Sequence, residues 1–191
     1  LTGTYNSGYT TNPAAGQKIN ARAATFVSSP TNTNPVDFTN VGTGACWVGG
    51  FINGTFDTSQ TWNYFKSSSG PGLRFVGANF TIEDLRVHNV QDAIRAKGGA
   101  PNFVIKRAYM TEIHDDCVED DALYAGIVDD SLLDGCYMAF SAQGATSPGG
   151  VRVFDIKNSL VRLQVFNGTS NGVAFGHQTF FKWRDKNVDP T

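Results

Sequence analysis

Between Phe80 and Ser141 one pattern of residues occurs three times at a fixed step. Ile82, Ile105 and Val128 are each 23 positions apart. The same step links Val87, Met110 and Leu133, then Val90, Ile113 and Cys136, then Ile94, Cys117 and Phe140. Four apolar columns in one register describe stacked units, each too thin to bury its own apolar side. A fourth copy, Phe154 to Val161, follows the third at a step of 28 (156 − 128). Its extra residues fall in the Gly/Ser/Pro-rich Gln143–Gly150 stretch, where an insertion lengthens a turn and leaves the stack intact.

The repeats hold short runs such as Phe103-Val104-Ile105 and no sustained helical period, which favours strands. Turn residues bracket each run, as at Gly98-Gly99-Ala100-Pro101 and Asp120-Asp121. The expected fold is all-β: a parallel β-solenoid with coils of about 23 residues. A leucine-rich repeat, the rival at this period, lacks its Leu-x-x-Leu-x-Leu signature here. Glu83, Lys106, Asp129 and Lys157 form a column whose sign alternates at every step, and Asp84, Arg107, Asp130 and Asn158 form the next. Alternating charge across strands favours this pairing over a slipped one. His88 is expected on an outer wall above Thr111.

The 191 residues suit a single domain. Residues 1–45 read as an irregular N-terminal segment and cap, with Lys18 to Val27 as the capping strand, residues 46–166 as coils, and residues 167–191 as a loop and last strand. Trp62, Tyr64 and Phe65 read first as a packed flank and second as a sugar-stacking platform. The start without Met and the stop at Thr191 fit a trimmed chain or a fragment of a longer solenoid. Charged residues are 17% and glycines number 21, the balance of an extracellular or cell-surface all-β protein. A net charge of −2 gives no electrostatic case for nucleic acid, and no apolar run is long enough for a membrane span. Cys46, Cys117 and Cys136 are odd in number, and in the 23-residue register Cys117 and Cys136 fall in different columns. Both are expected as small core side chains and not as a disulfide. Asn53, Asn79 and Asn167 each open an N-glycosylation triplet.

The densest ionisable stretch is His114-Asp115-Asp116-Cys117-Val118-Glu119-Asp120-Asp121. Asp92 lies one coil before Asp115 (115 − 92 = 23), so Asp92, Asp115 and Asp116 are expected to converge. Crowded carboxylates repel, which raises the pKa of at least one and prepares a general acid. A hard cation such as Ca²⁺, held by Asp115, Asp116 and Glu119, is the second reading. Turn residues that bond their own backbone are the third.

The coil size resembles that of the right-handed parallel β-helix proteins, among them pectate lyases and polygalacturonases. Asp115-Asp116-Cys117-Val118 is similar to the Asp-Asp-Cys segment of polygalacturonase-type glycoside hydrolases, and Asp92 to that family's other catalytic Asp. The resemblance implies a right-handed helix and an inverting hydrolase. No His lies in Gly135–Ala142, where the family carries Gly-His-Gly. Gly176-His177-Gln178 comes too late for that role, and Arg184-Asp185-Lys186 is a weak counterpart of the family's substrate-binding Arg-x-Lys. The functional expectation is an extracellular β-helix that binds or cleaves a polysaccharide, as a glycoside hydrolase or polysaccharide lyase. Its candidate residues are Asp92, Asp115, Asp116, His114 and Glu119, and no cofactor is expected unless calcium. The alternative is a non-catalytic structural or adhesive solenoid that self-assembles through its exposed terminal coil.

Overall fold

A computed structural model describes residues 1–142, 152–167, 169–170, 173–174 and 179–183. They form a parallel β-solenoid of six coils. Strand β1 (Thr2–Tyr5) precedes the first coil, which holds β2 (Lys18–Asn20), β3 (Ala23–Ser28) and β4 (Val36–Phe38). Coil two holds β5 (Cys46–Val48), β6 (Phe51–Gly54), helix α1 (Trp62–Ser68) and β7 (Leu73–Phe75). Coil three holds β8 (Thr81–Glu83), β9 (Arg86–Val90) and β10 (Ile94–Ala96). Coil four is β11 (Phe103–Lys106) and β12 (Tyr109–Asp120), and coil five is β13 (Gly126–Asp129) and β14 (Leu132–Ala142). Coil six holds β15 (Phe154–Lys157), β16 (Leu160–Leu163), a small antiparallel ribbon of β17 (Thr169–Ser170) and β18 (Val173–Ala174), and β19 (Phe181–Trp183).

Each coil presents three faces. The first is the six-stranded sheet β2-β5-β8-β11-β13-β15. The second runs through β1, β3, β6, β9, the front of β12, the front of β14 and β16. The third runs through β4, β7, β10, the back of β12, the back of β14 and β19. In coils four and five the second and third strands fuse into single strands of 12 and 11 residues, so there the corner between these faces has no loop.

The expected register holds on the first two faces. Ile82 pairs with Ile105 and Ile105 with Val128; Val87 pairs with Met110 and Met110 with Leu133; Val90 pairs with Ile113 and Ile113 with Cys136. Gly126 faces Phe154 and Leu133 faces Val161 across the longer step. Inside lies one continuous apolar core, from Phe26 and Trp47 through Phe75, Phe80 and Phe103 to Phe140. The alternating column forms as read: Lys106 Nζ lies 2.9 Å from Glu83, and Arg107 bonds Asp84 at 2.6 Å. Asp84, Arg107, Asp130 and Asn158 all take left-handed backbone (φ 57, 51, 47 and 51°), so this column is also the turn that ends the first face. His88 sits over Thr111, its Nδ1 3.0 Å from Thr111 Oγ1.

The fourth column departs from the uniform step. A bulge between Ile113 and Asp116 leaves one residue more on β12 than on β14. Beyond it the step to coil five is 22 (Val118 to Phe140), and the step from coil three is 24 (Ile94 to Val118). Val118, not Cys117, therefore joins Ile94 and Phe140. The displaced Cys117 comes beside Cys136, their Cα atoms 5.6 Å apart, and the two form a disulfide. The expectation of two separate core thiols is corrected: Cys136 pairs with Ile113 and Cys117 lies level with Ala139, so their columns stay separate, but the corner folds the two halves of β12 towards each other and brings the thiols together. Cys46 is a free thiol.

The segment Lys18–Val27 is two strands, β2 and β3, with a corner at Ala21-Arg22 between them, and both pair in register with coil two. The Trp62–Lys66 aromatic stretch is helical: Thr61 caps it by accepting from the Tyr64 N–H. No helix among the described residues is long and apolar enough to cross a membrane. Gly176-His177-Gln178, Arg184-Asp185-Lys186 and the Gln143–Gly150 insertion lie outside the described residues.

Candidate functional site

The second-to-third corner differs from coil to coil. Coil two fills it with residues 55–72, including α1, and in coil six the described residues 164–167, 169–170, 173–174 and 179–180 lie there, between β16 and β19. Coils four and five, between them, have none. The two long excursions meet over the gap, where the Trp62 N–H donates to the Asn167 carbonyl at 2.8 Å. Phe65 and Phe166 pack beneath that bridge.

Three carboxylates occupy the corner under this roof. Each of Asp92, Asp115 and Asp116 contributes an oxygen, and these oxygens lie within 4.8 Å of one another. In a straight strand Asp115 and Asp116 would point to opposite faces; the bulge turns both to one patch. The Asp116 N–H donates to Asp92 Oδ1 at 3.2 Å, so Asp92 stands beside Asp116 and not, as the 23-residue step implied, directly beside Asp115. Exposure is 1% for Asp92, 7% for Asp115 and 1% for Asp116.

Burial, then the neighbouring Glu119 and Asp115, push the Asp92 pKa well above the usual carboxylate range. Burial raises Asp115 too, against the pull of Lys182 and of polar contacts with Trp62 and Gln91. Asp116 is pushed up to about 7 by burial and by Asp115, again against Lys182. The cluster thus holds protons at pH values where surface carboxylates are ionised.

Glu119 sits next along β12, facing Arg95 of coil three, with Arg95 Nε 3.1 Å from its carboxylate. Burial raises its pKa and Arg95 opposes the rise. Arg95 also bonds Asp121 at 2.9 Å. His114 does not join the acids. It is fully buried, stacked on Phe65 at a centroid distance of 3.4 Å, with Nε2 3.0 Å from Asn89 Oδ1. The Asn89 amide donates to the Gly54 and Phe56 carbonyls, so its oxygen accepts and His114 Nε2 carries the proton. Burial lowers the His114 pKa to about 3, which keeps the ring neutral and suits it to packing the roof onto the coil.

Two participants were not legible in sequence. Lys182, on β19, places Nζ 3.4 Å from both oxygens of Asp116. Ser141 pairs with Glu119 on one side and Lys182 on the other, and lies close enough to favour ionised Asp116. No period could reveal them, because a 41-residue step (182 − 141) with a long corner excursion separates the paired strands. Of the expected cation ligands, Glu119 is paired with Arg95, while Asp115 and Asp116 join Asp92 in a group whose oxygens are close enough to hold a metal ion. An ammonium already sits beside them, which lowers the demand for a further cation.

No known family model, curated protein or solved structure matches this chain. The functional reading therefore rests on the corner itself.

Proposed function

We propose that this β-solenoid acts on a polysaccharide and that the roofed corner is its acid–base site. The observation that carries the reading is the convergence of Asp92, Asp115 and Asp116 from successive coils beside Lys182. Asp116, with a pKa of about 7, is the proton donor to a leaving oxygen. Asp115, where Lys182 opposes the effect of burial, is the neighbour that takes up the developing positive charge or the proton of the attacking group. The oxygens of the three acids lie within 4.8 Å of one another, close enough for one to donate a proton while a neighbour acts on the same bond. Trp62, partly exposed beside the corner and packed on the buried Tyr137 ring at a centroid distance of 6.1 Å, is an aromatic ring a sugar could meet. A disulfide in the core supports folding in an oxidising, extracellular setting.

Neutral and acidic polysaccharides incubated with the protein test this, with new reducing or unsaturated ends as the readout. The expected result is cleavage of at least one substrate, abolished by Asp116→Asn. Absence of product from every substrate leaves the second reading, a structural or adhesive solenoid. The burial of all three acids and the exposed Leu160 (73%) on coil six favour that reading. In it, coil six mediates self-assembly, and sedimentation shows concentration-dependent oligomers that Leu160→Lys disperses.

A further inference from the structure

The two long corner excursions bound a second feature on the opposite side of the Trp62–Asn167 bridge. A cleft of about 390 Å³ lies over the second face, walled by Ser59 and Gln60 from coil two and by Gln164 and Phe166 from coil six. His88 and Glu112 form its floor. The roof residues Phe65 and Phe166 separate it from the carboxylate corner, since both pack on His114 between the two.

The floor is built with unusual backbone. Asn89, Glu112 and Gly135 occupy equivalent positions on β9, β12 and β14, and all have positive φ (55, 53 and 112°). Left-handed backbone at Asn89 and Glu112 costs conformational energy, and such positions gather at ligand sites. Gly135 has a separate reason. A Cβ there would lie 2.5 Å from Gln164 Oε1, so only glycine lets the Gln164 side chain cross coil five. Having crossed, the Gln164 amide donates to both Glu112 oxygens at 2.9 Å. Side chains from coils four and six are thereby fixed in place before any ligand arrives, which reduces the ordering cost of binding.

The lining chemistry selects the ligand. Among the described residues no ammonium or guanidinium lines the cleft, and the nearby Arg162 guanidinium is held by Asp134 and Gln164, so phosphate, sulfate or a uronate carboxylate finds no free cation there. The Glu112 carboxylate is already engaged by Gln164. What the cleft offers are hydroxyls, amides and the His88 imidazole, whose Nδ1 contact with Thr111 leaves Nε2 available. Val165, exposed, adds an apolar surface at one end, with the buried Phe166 behind it. Hydroxyl-rich edges with an apolar C–H face match that combination, because each hydroxyl both donates and accepts.

We infer that this cleft is a binding site for a neutral saccharide, distinct from the carboxylate corner. The inference does not need the corner to be catalytic. The experiment is titration of the whole chain with cellohexaose, xylohexaose, mannohexaose and laminarihexaose, and with a galacturonate hexamer as the acidic comparator, followed by calorimetry. At least one neutral hexaose is expected to bind with Kd below about 1 mM. Gln60→Ala, on an outer loop, and Gln164→Ala are each expected to weaken it by about tenfold or more, whereas Asp116→Asn leaves it unchanged. No binding by any neutral hexaose would overturn the site. So would binding of the acidic hexamer alone, or binding lost in Asp116→Asn and kept in both glutamine variants, which would assign it to the corner.

Discussion

Lys182 and Asp116 stand 66 residues apart in sequence and 3.4 Å apart in the fold, an ammonium from coil six against a carboxylate from coil four. Both are largely withdrawn from water, so removing one strands the other. Lys182→Met is expected to cost about 1 kcal/mol more at pH 8, where Asp116 is ionised, than at pH 5, where Asp116 is protonated. Denaturant unfolding of the variant at the two pH values checks this. Equal losses at both would mean that the pair carries no charge-dependent role.

The buried ionisable groups also fix how overall stability varies with pH. The folded pKa of Asp116 is about 7, as is that of Asp120, which burial raises. Both lie above the unfolded value, so the folded state binds the extra protons. Their stabilising contribution is complete below about pH 4 and is lost as pH rises towards 7. His114 works the other way, because its pKa falls to about 3: the folded state excludes its proton, and stability drops as pH falls from about 6.5 towards 3. These acids, with Asp92, Asp115 and Glu119 raised in the same direction, outweigh one imidazole, each group contributing at most about 1.4 kcal/mol per pH unit. Stability should therefore decline from about pH 4.5 to 7, more gently in Asp116→Asn. Thermal or denaturant unfolding across that range gives the slope, and a rise instead of a decline would contradict the assignment.

The Cys117–Cys136 disulfide ties coil four to coil five inside the core, just beneath the acids. It closes a loop across 19 residues, a span for which a stabilisation of about 3 kcal/mol is typical. Cys136→Ala combined with Cys117→Ala should lose roughly that amount in a denaturant titration, and reductant should reproduce the loss in the parent chain. An unchanged midpoint under full reduction would argue against the bond.

Most of the fold could be read from the repeat because a parallel coil stacks like on like. Ile82, Ile105 and Val128 needed only a constant step. The corner was harder, since a single bulge at His114-Asp115 changes the step to 24 on one side and 22 on the other. That change placed Asp92 beside Asp116 and turned Asp115 to the same patch, while the cysteines meet across the corner from columns that stay separate, none of which a uniform period can express. The convergence of the three acids was still expected, because a one-residue slip moves a side chain by less than the reach of a carboxylate cluster. The outward turn of His114 onto Phe65 was not, since it depends on a helix contributed two coils earlier.

Gly54 reports on how closely the coils approach. A Cβ at this position would overlap the carbonyl oxygen of Asn89, a backbone atom that is itself held in the ladder and in left-handed conformation. Gly54→Ala is expected to destabilise by more than about 3 kcal/mol, with loss of the β signal in circular dichroism at moderate temperature. Gly98→Ala, where an added Cβ meets nothing within 4 Å, is the control and should be near neutral.

The most direct test of the corner is residue-resolved carbon NMR titration of the aspartate carboxyls, with Asp92, Asp115 and Asp116 assigned by substitution. Asp116 should titrate near pH 7, and Asp92 should keep its proton well above the ordinary carboxylate range. If all three instead lose their protons near pH 4, the acids do not share one buried patch, and the acid–base site built on them does not exist.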